Sequence, residues 1–184
     1  METIKSSKKI SISEMMRISL CTALLCISSY IVFPLPFTPI MITAQTIVVN
    51  LIALILNPLH SGVSVLIFIL LGAAGLPVFS GGGSGLGVLF GPTGGFIVGF
   101  LFSAIAISCL KGKKVKLYRY LIVAVLVGMP VTYLFGATYM SYVMKMNYIK
   151  TLQVAVIPFL LGDLIKAIIG SVVAFKINTI LRDK

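Results

Sequence analysis

From Ile18 to Leu110 the chain carries no Lys, Arg, Asp or Glu. A soluble domain carries about 25% charged residues, so a stretch of this length has no water-facing surface to offer. Over the whole chain 59% of residues are hydrophobic and 10% charged, with a mean hydropathy of +1.13. The sequence reads as an integral membrane protein built as one compact unit. The net charge of +11 does not point to nucleic acid. Its basic residues flank apolar runs instead of lining an amphipathic face, and so act as topology signals.

Proline, glycine and charge divide the chain into six apolar runs. The first is Ile18 to Phe33, ended by Pro34-Leu35-Pro36. It imitates a signal peptide, but no small-residue cleavage site precedes further hydrophobic sequence, so it reads as a retained helix. The second, Thr43 to Leu56, is short for a span of ~20 residues. It is either extended by Pro39 to Ile42 or a partial span. The third runs from Ser61 to Ala74. A glycine-rich stretch, Phe79-Ser80-Gly81-Gly82-Gly83-Ser84-Gly85-Leu86-Gly87, separates it from the fourth, which opens at Phe90-Gly91-Pro92-Thr93-Gly94-Gly95 and ends at Leu110. The fifth is Leu121 to Met144 and the sixth Leu152 to Ile180. The expected layout is a basic N-terminus (1–17), a six-helix bundle (18–180) and a short tail (181–184).

Six helices put both termini on one side. Lys5, Lys8, Lys9 and Arg17 precede the first run. Lys111, Lys113, Lys114, Lys116 and Arg119 follow the fourth, and Lys176, Arg182 and Lys184 close the chain. The opposite side holds Lys145 and Lys150. The positive-inside rule then makes both termini cytoplasmic and turns Pro34–Ile42, Leu76–Pro92 and Lys145–Lys150 outward.

Deep within the sixth run, before Lys176 near its end, Asp163 and Lys166 are the only charges. At i,i+3 they share one helix face. A charge at a bilayer centre costs at least ~2.5–3.5 kcal/mol, so such residues mark either a functional site or a structural ion pair. A helix start at Pro158 puts Asp163 about one and a half turns from the outer end, and a start near Leu152 puts it near mid-membrane. The outer half adds other polar groups: Thr43, Gln45, Ser80, Thr93 and Tyr133. Gly82 and Gly83, with their neighbours, allow close backbone approach to a ligand, and the glycine stretch reads as a ligand-covering loop or a linker.

Other chemistries lack their residues. The glycine stretch has neither a following Lys-Ser/Thr nor the G-x-G-x-x-G spacing. His60 lies in an inward-facing turn, away from Asp163, which breaks any Ser-His-Asp arrangement. The acids are Glu2, Glu14, Asp163 and Asp183, too scattered for paired-carboxylate catalysis or a divalent-metal site. Cys21, Cys26 and Cys109 form no Cys-x-x-Cys, so a zinc site is not expected. A binding protein needs only an apolar cavity and a few placed polar atoms. Ser19 and Ala23 form a small-xxx-small pair on the first helix, suited either to internal packing or to a partner.

Several segments together resemble the BioY family, the biotin-specific substrate-binding (S) components of energy-coupling factor (ECF) transporters. These are Phe37-Thr38-Pro39-Ile40-Met41-Ile42-Thr43-Ala44-Gln45-Thr46, Leu70 to Phe79 with the glycine stretch, Leu89-Phe90-Gly91-Pro92-Thr93-Gly94-Gly95-Phe96, and Pro158-Phe159-Leu160-Leu161-Gly162-Asp163-Leu164-Ile165-Lys166. The resemblance implies a six-helix S-component fold in the prokaryotic cell membrane, no enzymatic activity and no cofactor. It implies a biotin site near the outer face. Asp163 and Lys166 would contact the ureido ring, a carboxylate accepting from its N–H groups and an ammonium donating to its carbonyl. Gln45 and Thr43 would line the same pocket.

Some relatives carry an amide near the position of Ser80 and a cation near Thr93. Neither is present here, so the backbone N–H groups of Gly81 to Gly85 are the expected partners of the biotin carboxylate. Implied macromolecular partners are a transmembrane coupling protein and two cytoplasmic ATPases. Ser19 and Ala23 match the docking motif for the coupling protein, with Ser19 replacing the usual alanine. The competing readings are an S component for another vitamin, a membrane enzyme and a small channel.

Overall fold

The structure, a computed structural model, describes residues 11–182. Lys5, Lys8, Lys9 and Lys184, on which part of the charge asymmetry rests, lie outside the described residues, as do Glu2 and Asp183.

Helix α1 spans Ile12–Ser28 and starts six residues before the first charge-free position. Its start is a capping box: Glu14 N donates to Ser11 Oγ at 3.2 Å, and Ser11 N donates to Glu14 Oε2 at 2.8 Å. It stops well short of the expected Phe33. Ser28 and Ser29 turn their hydroxyls onto the carbonyls of Leu25 and Cys26, and the chain then extends. Strand β1 (Val32–Phe33) pairs antiparallel with β2 (Ile42–Thr43), Val32 opposite Thr43. The mostly helical chain thus adds one small ribbon, in which Val32 faces Thr43 and Phe33 faces Ile42, residue types that favour strands.

Helix α2 (Gln45–Ile55) is not extended by Pro39–Ile42, because Ile42 and Thr43 belong to β2. It rises only about 16 Å, and its far end is finished by polar groups from elsewhere. Lys111 Nζ donates to the carbonyls of Ala53 and Leu54, each at 2.9 Å, and to Leu56. Ser108 Oγ reaches Leu56 O at 2.6 Å and Asn178 Nδ2 reaches Leu54 O at 3.0 Å. Lys111 is thus more than a topology charge. It places a cation at a helix C-terminus, where the dipole favours one, and burial pushes its ammonium down to about 8.

Helix α3 (Pro58–Ala73) has Asn57 as its cap and Pro58 in its first turn. A short α4 (Leu86–Leu89) follows the glycine stretch, and α5 covers Gly94–Leu110. Helix α6 (Leu117–Val123) runs through a single π-helical segment, Ala124–Gly128, into α7 (Met129–Met144). Pro130, which cannot donate to the preceding turn, lies just past the π segment. The sixth run is not one helix. Helix α8 (Tyr148–Ala155) ends at Val156, a 3₁₀ turn covers Ile157–Phe159, and α9 (Leu160–Arg182) follows. Pro158 forces the interruption. Asp163 consequently lies in the first turn of α9.

Small residues set the closest helix contacts. A Cβ at Gly95 would lie 2.4 Å from Tyr139 Cβ and 2.6 Å from Phe135 O, and one at Gly99 3.0 Å from Thr132 O. Helices α5 and α7 therefore touch backbone to backbone. Helix α9 presents a stripe of buried Ala167, Gly170, Ser171 and Ala174 to α2, with Gly170 against Ile47 and Asn50. Thr22 and Ser64 bond at 3.0 Å between α1 and α3. Large apolar side chains cover the outside, among them Leu126, Leu134, Tyr142, Leu161 and Ile165. Lipid tolerates such a surface and water does not. Two helical segments are each long and apolar enough to cross a membrane, Leu117–Met144 and Tyr148–Arg182; Gln45–Ile55, Pro58–Ala73 and Gly94–Leu110 are shorter apolar helices.

Candidate functional site

The start of α9 brings Asp163 to a point where α2, α5 and α7 converge. Lys166 Nζ donates to Asp163 Oδ1 at 2.9 Å, Tyr133 OH donates to Oδ2 at 2.6 Å, and Thr46 Oγ1 makes a longer contact to Oδ1 at 3.4 Å. The side chains of Lys166 and Asp163 are 13% and 12% exposed. Asp163 lies in the first turn of α9, the positive end of the helix dipole.

This cluster borders two adjoining cavities. The outer one comprises about 570 Å³ of space between the atoms, open solvent included. Its polar lining is Thr43, Thr46, Ser80, Thr93, Thr132, Tyr133, Asp163 and Lys166, and its apolar lining includes Ile40, Met41, Phe96, Ile97, Phe100 and Phe159. The inner one, about 310 Å³ counted the same way with open solvent included, shares Thr46, Phe100, Thr132, Tyr133 and Asp163 and adds Val49, Asn50, Ser103, Gly128 and Met129. The Tyr133–Asp163 hydrogen bond joins two residues that line both.

The BioY family model matches residues 4–183 of this sequence. The chain belongs to the BioY family. It is 34% identical over 174 residues, 91% of each chain, to the "Probable biotin transporter BioY" of Bacillus subtilis. It is 32% identical to the "Biotin transporter BioY" of Thermotoga maritima, covering 90% of this chain and 95% of that one. Its fold superposes with a TM-score of 0.84, at 26% identity, on the crystal structure of the S-component for biotin from an ECF-type ABC transporter, covering 91% and 92% of the two chains.

Six residues singled out in this BioY-family sequence meet at the outer cavity: Thr43, Ser80, Thr93, Tyr133, Asp163 and Lys166. Gln45 stands behind it. It is 1% exposed, and its Oε1 accepts from Ser80 Oγ at 2.8 Å, so it holds the glycine stretch against α2. Gly82 and Gly83 are outside the lining and pack near Tyr30 and Val88. The glycine N–H groups expected to hold a ligand carboxylate are bonded within the chain. Gly81 N donates to Ser29 O, Gly82 N to Phe79 O, Gly83 N to Ser80 O and Gly85 N to Gly72 O, so these donors already serve the loop itself.

Nor is the stretch a slack linker. Phe79 is fully buried, T-shaped on Phe68 at 5.5 Å, and fits a notch at Gly72 where a Cβ would lie 2.1 Å from its ring. Ser19 and Ala23 are both exposed on α1, which leaves them available to a partner and removes the internal-packing alternative.

The sequence reading missed Thr46, Asn50, Phe96, Phe100, Thr132 and Phe159. Phe96 and Phe100 are four apart on α5 and could have been found as one face. Thr132 and Asn50 carried no such signal, being uncharged polar residues within apolar runs.

Proposed function

We propose that this chain is the biotin-capturing S component of an ECF-type uptake system. Asp163 and Lys166, bonded to each other at the wall of one cavity, carry the reading. The ureido N–H groups of biotin match the carboxylate, its carbonyl matches the ammonium, and Phe96, Phe100 and Phe159 offer apolar walls to the fused rings and the valeryl chain. With the glycine N–H groups engaged and the Ser80 hydroxyl donating to Gln45 Oε1, the Thr93 hydroxyl at the outer cavity is the better partner for the biotin carboxylate.

The chain works as a multi-pass protein of a prokaryotic cell membrane. Its six spans are α1, α2, α3, α5, the α6–α7 rod and the α8–α9 rod, with both termini cytoplasmic. The basic residues Lys111, Lys113, Lys114, Lys116 and Arg119 between α5 and α6 support that orientation. A transmembrane coupling protein docks on the Ser19–Ala23 face, and two cytoplasmic ATPases drive delivery inward. No cofactor is required. Isothermal titration of the purified protein with biotin, riboflavin and thiamine tests the reading. One-to-one binding of biotin alone is expected. A folded, monodisperse sample that binds riboflavin or thiamine, or nothing, overturns it.

A further inference from the structure

The inner cavity holds two polar side chains that the site described above does not use. Asn50 is 7% and Thr132 8% exposed. Both line the inner cavity, and neither side chain makes a hydrogen bond within the described chain. Asn50 Oδ1 sits near Gly128, 3.4 Å from where a Cβ would stand, and Lys166 does not line this cavity. An amide that opens on a cavity without a partner in the chain leaves its hydrogen bonds to water or to a ligand that displaces it.

We propose that Asn50 is a specificity-determining ligand contact, binding the urea edge that Asp163 and Lys166 do not reach, with the Thr132 hydroxyl beside it. The inference rests on the biotin reading and deepens it. A cyclic urea has two N–H donors pointing to opposite sides of one carbonyl, whose oxygen has two lone pairs. One carboxylate cannot accept from both donors. Asp163 and Lys166 satisfy one N–H and one lone pair, which leaves a donor and an acceptor to be buried. A primary amide supplies the complement on one edge: its oxygen accepts from the second N–H while its NH₂ donates to the carbonyl. Asp163 and Thr132 line both cavities, so a urea bonded to Asp163 borders the one that Asn50 lines.

The test is titration of wild type and Asn50→Leu with biotin and with 2-thiobiotin, in which sulfur replaces the urea oxygen, alongside thermal melts of the unliganded proteins. Leucine keeps the volume and removes the hydrogen bonds. Biotin affinity should fall at least about tenfold, one good buried hydrogen bond. The unliganded melting temperature should hold or rise, since an unpaired amide is gone. The preference for biotin over 2-thiobiotin should shrink, because one donor to that oxygen is missing.

A biotin Kd within twofold of wild type overturns the proposal. So does an equal loss for both ligands with a lowered melting temperature, which marks a purely structural residue. Asn50→Ala is judged by the same criteria if the leucine variant does not fold. Wild type that binds neither ligand sinks the biotin reading itself; wild type that binds while the variant is unchanged sinks this inference alone.

Discussion

Two variants separate a ligand site from a structural ion pair at Asp163 and Lys166. In Asp163→Ala the ammonium of Lys166, 13% exposed, loses its carboxylate, and the Tyr133 hydroxyl loses the acceptor it holds at 2.6 Å. Breaking one partner out of a buried pair costs about 3–5 kcal/mol. The variant should therefore melt well below wild type in the same detergent. The double variant Asp163→Leu/Lys166→Met removes both charges together. Replacing a buried pair with apolar side chains of similar volume is often neutral or stabilising, so much of the lost stability should return, less the unpaired Tyr133 hydroxyl.

Biotin binding should not return with it. The carboxylate's bond to a urea N–H and the ammonium's bond to the carbonyl are charge-assisted, about 1.5–3 kcal/mol each. Losing one weakens binding at least about tenfold, and losing both about a hundredfold or more. Isothermal titration and thermal melts on the same samples report the two quantities independently. A double variant that regains stability and binds biotin within threefold of wild type would refute the assignment, because the pair would then be architecture alone.

Three further outcomes follow from the packing and the surface. Gly95→Val should prevent the close approach of α5 and α7, since even a Cβ would lie 2.6 Å from Phe135 O; loss of the monodisperse peak on size exclusion is expected, and a normal melting curve would contradict it. Ser19→Leu should leave biotin affinity unchanged and reduce uptake by cells that carry the energising partners; equal loss of binding and uptake would remove the docking role from α1. For Lys111 the ordinary value is 10.5 and burial lowers the folded one to about 8, so between those values the unfolded chain binds more protons and folding gains as pH rises. The melting temperature of wild type relative to Lys111→Met should therefore increase from pH 7 to pH 9.5, and a flat difference would mean that burial does not disfavour the charged form.

The charged half of the site was legible because charge in an apolar run is conspicuous. Asp163 and Lys166 could be found with no neighbours known, and their helical spacing already gave one face. The helix ends were less legible. The short length of α2 made sense only once Lys111 and Asn178, 58 and 124 residues away from the carbonyls they cap, were seen to finish it. The glycine stretch misled for a related reason. Glycine advertises free N–H groups, yet whether they are free depends on where Ser29 and Gly72 place their carbonyls, which is tertiary information.

Asn50 and Thr132 carry this furthest. Each is an uncharged polar residue on an apolar helix, indistinguishable in sequence from Ser64 or Ser108, whose hydroxyls are bonded inside the fold. The difference lies in satisfaction. Where a buried polar group finds a partner in the chain it serves the architecture, and where it faces a cavity without one the structure has left its hydrogen bonds for a ligand to complete. In this molecule the charges give the position of the site, and the unpaired neutral groups beneath them mark how deep the ligand reaches.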